Sequence, residues 1–235
     1  MQIGNYNFID AESLIHIDIR DQETVKLPHR IKECKNLTYL TIANCRSVSF
    51  PNEFSQLKNL QFVTLRSNNL NEIPEVLFGL PKLKTLNLSN NEIKDISNLH
   101  LLTQVNHIEL AFNRIAEIPE KICEMPNLRV LNLYSNDITS IQRLDTKNCN
   151  KDFVIDIKKN PLEFIPEKIV NKLHNGTICI SNNVNTLGNL SLKTIIKIFN
   201  KEKNVLNLNV ESVNDSTEKD LLRLLKKYRD NQLYV

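Results

Sequence analysis

Two pairs of side chains in this 235-residue chain combine the residue types that metal sites and acid–base catalysts use. His107 and Glu109 are separated by one residue, as are His16 and Asp18, so a strand would project both members of each pair from one face. An imidazole beside a carboxylate can begin a metal site or form a general acid and base couple. No third strong ligand lies in register with either pair. We therefore predict no metal site and no catalytic residues.

Sequence motifs for catalysis and for phosphate or metal binding are also absent. It contains no glycine-rich phosphate loop, no GxSxG elbow and no HExxH helix. Its net charge of +3 and the isolated pair Lys158–Lys159 do not form the basic stripe that nucleic acids require. The chain is therefore predicted to be neither an enzyme nor a nucleic-acid-binding protein, and to need no cofactor.

The cysteines point to a reducing environment. They are odd in number, scattered and without a CxxC pair, which disfavours a zinc site or a disulfide framework. The five are Cys34, Cys45, Cys123, Cys149 and Cys179. We interpret them as reduced thiols.

A regular spacing of 22 to 24 residues organises most of the chain. The positions that define it are Cys45, Asn68, Asn91, Asn113, Asn136, Asn160 and Asn183. Apolar residues precede each position at fixed offsets and alternate with polar ones, as one face of a short strand requires. An asparagine suits the turn after a strand because its amide both donates to and accepts from backbone groups. Before Asn160 the pattern weakens, since Asp152 takes the first leucine position.

The pattern LxxLxLxxNxL, repeated in five consecutive units, resembles the leucine-rich repeat family, in its intracellular class with repeats of about 23 residues. This resemblance implies an α/β solenoid with a curved parallel sheet of about eight to nine strands and an irregular or helical convex side. The pairs His16–Asp18 and His107–Glu109 would then lie four strands, or about 19 Å, apart and could not share one ion.

The repeats predict a single domain over residues 1–235. Residues 1–13 would form an N-terminal cap, residues 14–188 the repeats, and residues 189–235 a final helix–strand unit and a C-terminal helical cap. A cap is expected because the end of a solenoid exposes a sheet edge and an apolar cross-section. The alternative for the last helix is a docking surface for a membrane or a partner, and its charges of mixed sign favour the cap.

Side chains between the inward leucines of each strand would face the concave surface. Aromatic and arginine side chains have no core to fill there, and these residue types often anchor binding partners. Scattered exposed aromatics are also normal on protein surfaces, which is the alternative interpretation. The predicted partner-binding residues are Tyr39, Phe62, Arg66, His107, Glu109, Phe112, Tyr134 and Lys158.

The resemblance implies a non-catalytic protein–protein interaction module that binds a protein ligand on its concave face, as a bacterial effector or an adaptor does. The alternative is a regulatory subunit that docks on an enzyme through its convex or C-terminal helical surface. The sequence has no secretory signal and no apolar run of about 18 residues. We therefore expect a monomer without a membrane or nucleic acid partner, located in the cytoplasm or exported without a cleaved signal peptide, for example as an effector into a host cell.

Overall fold

The computed structural model describes residues 2–3, 6–144, 149–162 and 178–179 of the chain. These residues contain short strands and 3-10 helices that repeat along the sequence. In chain order the strands are β1 (Gln2–Ile3), β2 (Tyr6–Asn7), β3 (His16–Arg20), β4 (Thr24–Lys26), β5 (Tyr39–Ala43), β6 (Ser47–Ser49), β7 (Phe62–Thr64), β8 (Thr85–Asn87), β9 (His107–Glu109), β10 (Val130–Asn132), β11 (Val154–Asp156) and β12 (Ile178–Cys179).

Eight of these strands form one parallel sheet, in the order β3-β5-β7-β8-β9-β10-β11-β12. Each strand pairs with the next one along the chain, so equivalent residues of successive coils lie side by side. Tyr39 is opposite Phe62, Phe62 opposite Thr85, and Thr85 opposite His107. The predicted solenoid with a curved parallel sheet is confirmed.

The core lies between this sheet and the return path of each coil. Alternate strand residues such as Leu86 and Leu131 are fully buried because the strand period of two sends them to one face. The coil that ends at Asn160 departs from the predicted frame. Asp152, which holds the first leucine position, is exposed, and the next residue, Phe153, is buried in its place.

A chain of side-chain amides connects the coils at the turn after each strand. The Asn91 side chain donates from Nδ2 to the carbonyls of Leu65 at 2.8 Å and Leu88 at 2.9 Å. Its Oδ1 accepts the backbone N–H groups of Asn68 at 2.9 Å and Leu70 at 3.0 Å. The three bonds to the preceding coil, at Leu65, Asn68 and Leu70, satisfy backbone groups that the sheet leaves unpaired.

The same arrangement recurs along the solenoid, and we call these residues the asparagine ladder. Its described members are Asn68, Asn91, Asn113, Asn136 and Asn160, all of them buried. Cys45 holds the first position, where its Sγ donates to the carbonyl of Ala43 at 3.3 Å. Asn183, the final helix–strand unit and the predicted C-terminal cap lie outside the described residues, and the domain boundaries stay predictions.

The convex side is built from 3-10 helices, in agreement with the predicted helical or irregular return path. They span Phe8–Ser13, His29–Glu33, Asn52–Gln56, Glu75–Leu77, Ser97–Leu101 and Glu120–Glu124. Four of them begin directly after a proline, whose fixed φ suits the start of a helix. Strands β4 and β6 pair in parallel beside the first two coils, and β1 and β2 form an antiparallel pair.

The structure contains a disulfide between Cys123 and Cys149. It joins the 3-10 helix Glu120–Glu124 of one coil to the segment that precedes β11 in the next coil. The prediction of reduced thiols is therefore wrong for this pair. Cys34 and Cys45 are buried free thiols, and burial raises the pKa of Cys34 to about 11.

Because the disulfide closes a loop across 26 residues, its removal should destabilise the chain. In oxidising buffer we expect Cys123→Ser to lower the free energy of unfolding by about 2–4 kcal/mol. Urea denaturation of the variant and the wild type, each with and without a reducing agent, measures this difference. The reducing agent should destabilise the wild type and leave the variant unchanged. A wild type indifferent to reduction, with five free thiols by intact mass, would contradict the bond.

Candidate functional site

The concave surface is formed by the strand residues that alternate with the core positions. In each strand the residue before the first buried position begins this surface, and equivalent residues form rows across the sheet. The first row consists of His16, Tyr39, Phe62, Thr85, His107, Val130 and Val154. None of the seven is buried, in contrast to the leucine and isoleucine residues between the rows.

Three aromatic rings lie next to one another at the N-terminal end of this row. The rings of Tyr39 and Phe62 are stacked, with centroids 4.7 Å apart and an angle of 7° between their planes. The His16 ring contacts Tyr39 edge-on, with centroids 6.0 Å apart. The contacts follow from the register, because residues opposite each other on neighbouring strands have adjacent side chains. Tyr39 is 44% exposed, so a ligand can reach the rings.

Arg66 lies on the same coil as Phe62 and is exposed. Its guanidinium forms no hydrogen bond or ion pair with any residue in the described ranges. Other cations of the concave surface are neutralised within their own coil: Arg20 binds Asp18 at 2.8 Å, and Nζ of Lys158 lies 3.6 Å from Asp156. Arg66 therefore brings an uncompensated positive charge to this end of the surface. We call His16, Tyr39, Phe62 and Arg66 the Phe62 patch.

A second aromatic pair lies three coils further along. The rings of Phe112 and Tyr134 meet edge to face with centroids 5.4 Å apart, and Phe112 is 54% exposed. Beside them, Oε1 of Glu109 lies 2.5 Å from Nε2 of His107, and Oε2 accepts a 2.7 Å hydrogen bond from Nδ2 of Asn132. These two neighbours fix the carboxylate in place. We call these five residues the Tyr134 patch.

Phe112 also has an unusual backbone conformation. The residue before each described ladder position, and Asp21 at the equivalent place in the first coil, has φ between 55° and 59°, in the left-handed region. These residues are Asp21, Asn44, Ser67, Asn90, Phe112, Ser135 and Lys159. Asparagine and aspartate tolerate this region, whereas a bulky aromatic residue there is an outlier. Backbone hydrogen bonds hold it in place, since Phe112 N donates to Tyr134 O at 2.9 Å and Phe112 O accepts from Asn91 N at 3.2 Å.

The predicted site residues thus fall into two groups and one outlying residue. Tyr39 contacts Phe62 and shares its patch with Arg66, whereas Lys158 lies near the C-terminal end of the described sheet and pairs with Asp156. The other four predicted residues, His107, Glu109, Phe112 and Tyr134, lie in the Tyr134 patch. Asn132 and His16, which belong to the two patches in the structure, were not among the predicted partner-binding residues, although the repeat places Asn132 opposite Glu109 and His16 opposite Tyr39.

Among the described residues, no group of three or more histidine, cysteine, aspartate or glutamate side chains is arranged to hold a metal ion. No helix in the same part of the chain has the length and apolar character needed to span a bilayer. Within the described ranges, the concave surface presents aromatic rings, the Arg66 guanidinium without an ion pair, and the Glu109 carboxylate held by His107 and Asn132.

Comparison with known structures shows the same solenoid in bacterial and plant proteins. An internalin of Listeria monocytogenes, InlF, is 19% identical with a TM-score of 0.56, and the match covers 80% of this chain and 59% of the internalin. The ectodomain of the Arabidopsis thaliana receptor kinase GASSHO1/SCHENGEN3, solved with CASPARIAN STRIP INTEGRITY FACTOR 2, is 24% identical with a TM-score of 0.57, covering 79% of this chain and 23% of the receptor.

A second Arabidopsis receptor kinase, HAESA, solved with the peptide hormone IDA and the co-receptor SERK1, is 29% identical with a TM-score of 0.52. Here the match covers 71% of this chain and 29% of the receptor chain. This chain therefore spans less than two thirds of the length of each of these proteins.

Among curated proteins, no sequence matches this chain. The family profile described as "leucine-rich repeat region" matches residues 14–161, which is well over half of the chain. The match begins with the coil of β3 and ends directly after the last described ladder residue, Asn160. Together with the parallel sheet and the asparagine ladder, this match shows that the chain belongs to the leucine-rich repeat family.

Proposed function

We propose that this chain is a non-catalytic interaction module that binds a protein ligand on its concave surface. Members of the leucine-rich repeat family are generally non-enzymatic scaffolds for protein recognition. Two similar receptor structures were solved with a peptide hormone or a named factor bound, which supports a ligand of the same kind here. The concave surface is the better candidate face because aromatic and charged side chains cluster on it.

The observation that carries this proposal is the conformation of Phe112. A left-handed backbone at a bulky residue costs about 1–2 kcal/mol, and the exposed phenyl ring does not recover this cost by entering the core. Asparagine holds the equivalent position in two other coils, at Asn44 and Asn90. Strain of this kind occurs at binding and active sites, where a required side chain overrides local preference. We infer that the Phe112 ring is placed for a ligand.

The location of the module, inside or outside the cell that makes it, is also part of the proposal. An adaptor in the cytoplasm and an effector exported without a cleaved signal peptide both fit a recognition module. The disulfide between Cys123 and Cys149 favours the exported protein, because disulfides rarely persist in a reducing cytosol. On its own the chain is proposed to be a monomer that uses the concave surface for a different protein.

Replacing Phe62, Arg66 and Tyr134 together by alanine should abolish capture of the partner from a lysate while the chain stays folded. The loss of two aromatic pairs should lower the free energy of unfolding by only about 1–3 kcal/mol. Affinity capture with quantitative mass spectrometry, beside urea denaturation, measures both effects. The control is Leu101→Ala with Lys121→Ala, two exposed residues of convex 3-10 helices, which should retain the partner.

Capture that survives the triple substitution and fails in the convex control would contradict the concave site. It would support the alternative of docking through the convex or C-terminal surface.

Replacing Phe112 by asparagine separates stability from binding. The variant relieves about 1–2 kcal/mol of left-handed strain but loses the contact with Tyr134, worth about 0.5–1.5 kcal/mol, so the free energy of unfolding should change by between about −0.5 and +1.5 kcal/mol. Partner capture should fall sharply. Denaturation and the capture assay, run on the same preparation, give the two values. A destabilisation above about 1 kcal/mol would mean that Phe112 has a structural role instead.

A further inference from the structure

Three of the described coils carry a carboxylate at the middle position of the concave strand. These residues are Asp18, Glu109 and Asp156, and the register of the sheet places them in one row. In the coils of Asp18 and Asp156, a cation two residues later pairs with the carboxylate. Nε of Arg20 lies 2.8 Å from Asp18, and Nζ of Lys158 lies 3.6 Å from Asp156. Each of these two carboxylates is therefore neutralised by its own coil.

The coil of Glu109 lacks this cation. Ala111 stands at the position where the other two coils have an arginine or a lysine. Among the described residues Glu109 forms no ion pair with a lysine or an arginine, and its hydrogen-bond neighbours are His107 and Asn132. Neither neighbour carries the permanent positive charge of an arginine or a lysine. Glu109 thus brings to the concave surface a carboxylate without a matching cation in its own coil.

The two neighbours hold this carboxylate in a fixed orientation while leaving it open to a ligand. Oε1 lies 2.5 Å from Nε2 of His107, and Oε2 accepts from Nδ2 of Asn132 at 2.7 Å. A carboxylate has about four acceptor positions, so both oxygens can accept a further hydrogen bond. The Glu109 side chain is 25% exposed to solvent. A ligand that binds here does not have to order the carboxylate, which lowers the entropic cost of binding.

Aromatic rings lie beside this carboxylate. Glu109 is opposite Asn132, and Tyr134 follows two residues later, so Glu109 and Tyr134 are diagonal neighbours roughly 7–8 Å apart. Phe112 contacts the Tyr134 ring and is 54% exposed. A cationic side chain can form an ion pair with a carboxylate and a cation–π contact with a neighbouring ring. The Tyr134 patch therefore combines the two kinds of group that recognise a cation.

We propose that the Tyr134 patch binds a lysine or arginine side chain of the protein ligand, which pairs with the Glu109 carboxylate and lies against the exposed Phe112 ring. This inference rests on the proposed function and adds the chemistry of the group that is recognised. An acidic or phosphorylated group fits less well, because Glu109 would repel it. An apolar group would leave the carboxylate desolvated without a cation.

A selection from a display library of random 12-residue peptides tests this inference. The wild-type chain should enrich peptides that carry lysine or arginine at one position. Glu109→Gln removes the charge at nearly constant size and should remove this preference. The matched control is Asp156→Asn, the same carboxylate-to-amide change where Lys158 already neutralises the carboxylate, and it should leave the preference unchanged. Urea denaturation of both variants checks that they stay folded.

Affinity measurements on one selected peptide complete the test. Changing its basic residue to methionine should weaken binding to the wild type about tenfold, because a hydrogen bond between charged groups is lost. Glu109→Gln should weaken binding of the original peptide by a similar factor. The two changes together should weaken binding little more than either one alone, because both remove the same contact.

The outcomes separate this inference from the proposed function. Losses that multiply in the combined measurement overturn the cation inference alone, as do selected peptides that lack a basic residue but no longer bind the triple alanine variant. Peptides that bind the triple variant as well as the wild type contradict the concave site itself. Free arginine that binds as tightly as the selected peptide would assign the patch to a small amine and overturn the assignment to a protein ligand. A selection that enriches nothing also overturns the cation inference and leaves the proposed function to the capture experiment.

Discussion

Hydrogen bonds from buried asparagine amides hold the coils of this solenoid in a fixed stack, because the carbonyls of Leu88, Leu110 and Leu133 are each shared between two successive ladder residues. The Leu88 carbonyl accepts from Asn91 and from Asn113, and the Leu110 carbonyl accepts from Asn113 and Asn136. Buried backbone groups left without partners would be costly, and connected hydrogen bonds strengthen one another. The turn of every coil is therefore set by the next coil along.

This constraint decides which side chains are available for function. Once the ladder fixes the turns, alternate strand residues fill the core and the residues between them face the concave surface without a packing role. The ladder also places the residue before it in the left-handed region, which is how Phe112 comes to present an exposed ring. The stack thus places the Phe62 patch and the Tyr134 patch on one continuous parallel sheet.

The repeat made the fold predictable from the sequence, and it also explains which features could not be predicted. Periodic leucines and asparagines predicted the strands, their register and the concave rows, because these features recur in every coil. Departures from the repeat were harder to predict. Phe153 fills the core beside Asp152, and this depends on a local shift that no other described coil shows. The bond between Cys123 and Cys149 joins positions that no other coil pairs, so the repeat could not predict it. Among the described residues Arg66 has no ion pair, and the sequence gives the reason: Thr64 stands two residues before it, where Asp18 stands before Arg20 and binds it.

The central claim, that the asparagine ladder determines the stack, is tested most directly by comparing Asn113→Ala with Asn98→Ala in urea denaturation. Asn113 is buried and accepts from the N–H of Ile93 at 3.0 Å, whereas Asn98 is exposed on a convex 3-10 helix. Loss of the ladder amide should lower the free energy of unfolding by at least about 2 kcal/mol, since it leaves a buried N–H without a partner. Asn98→Ala should change it by less than about 0.5 kcal/mol. Equal and small effects at both positions would contradict the account.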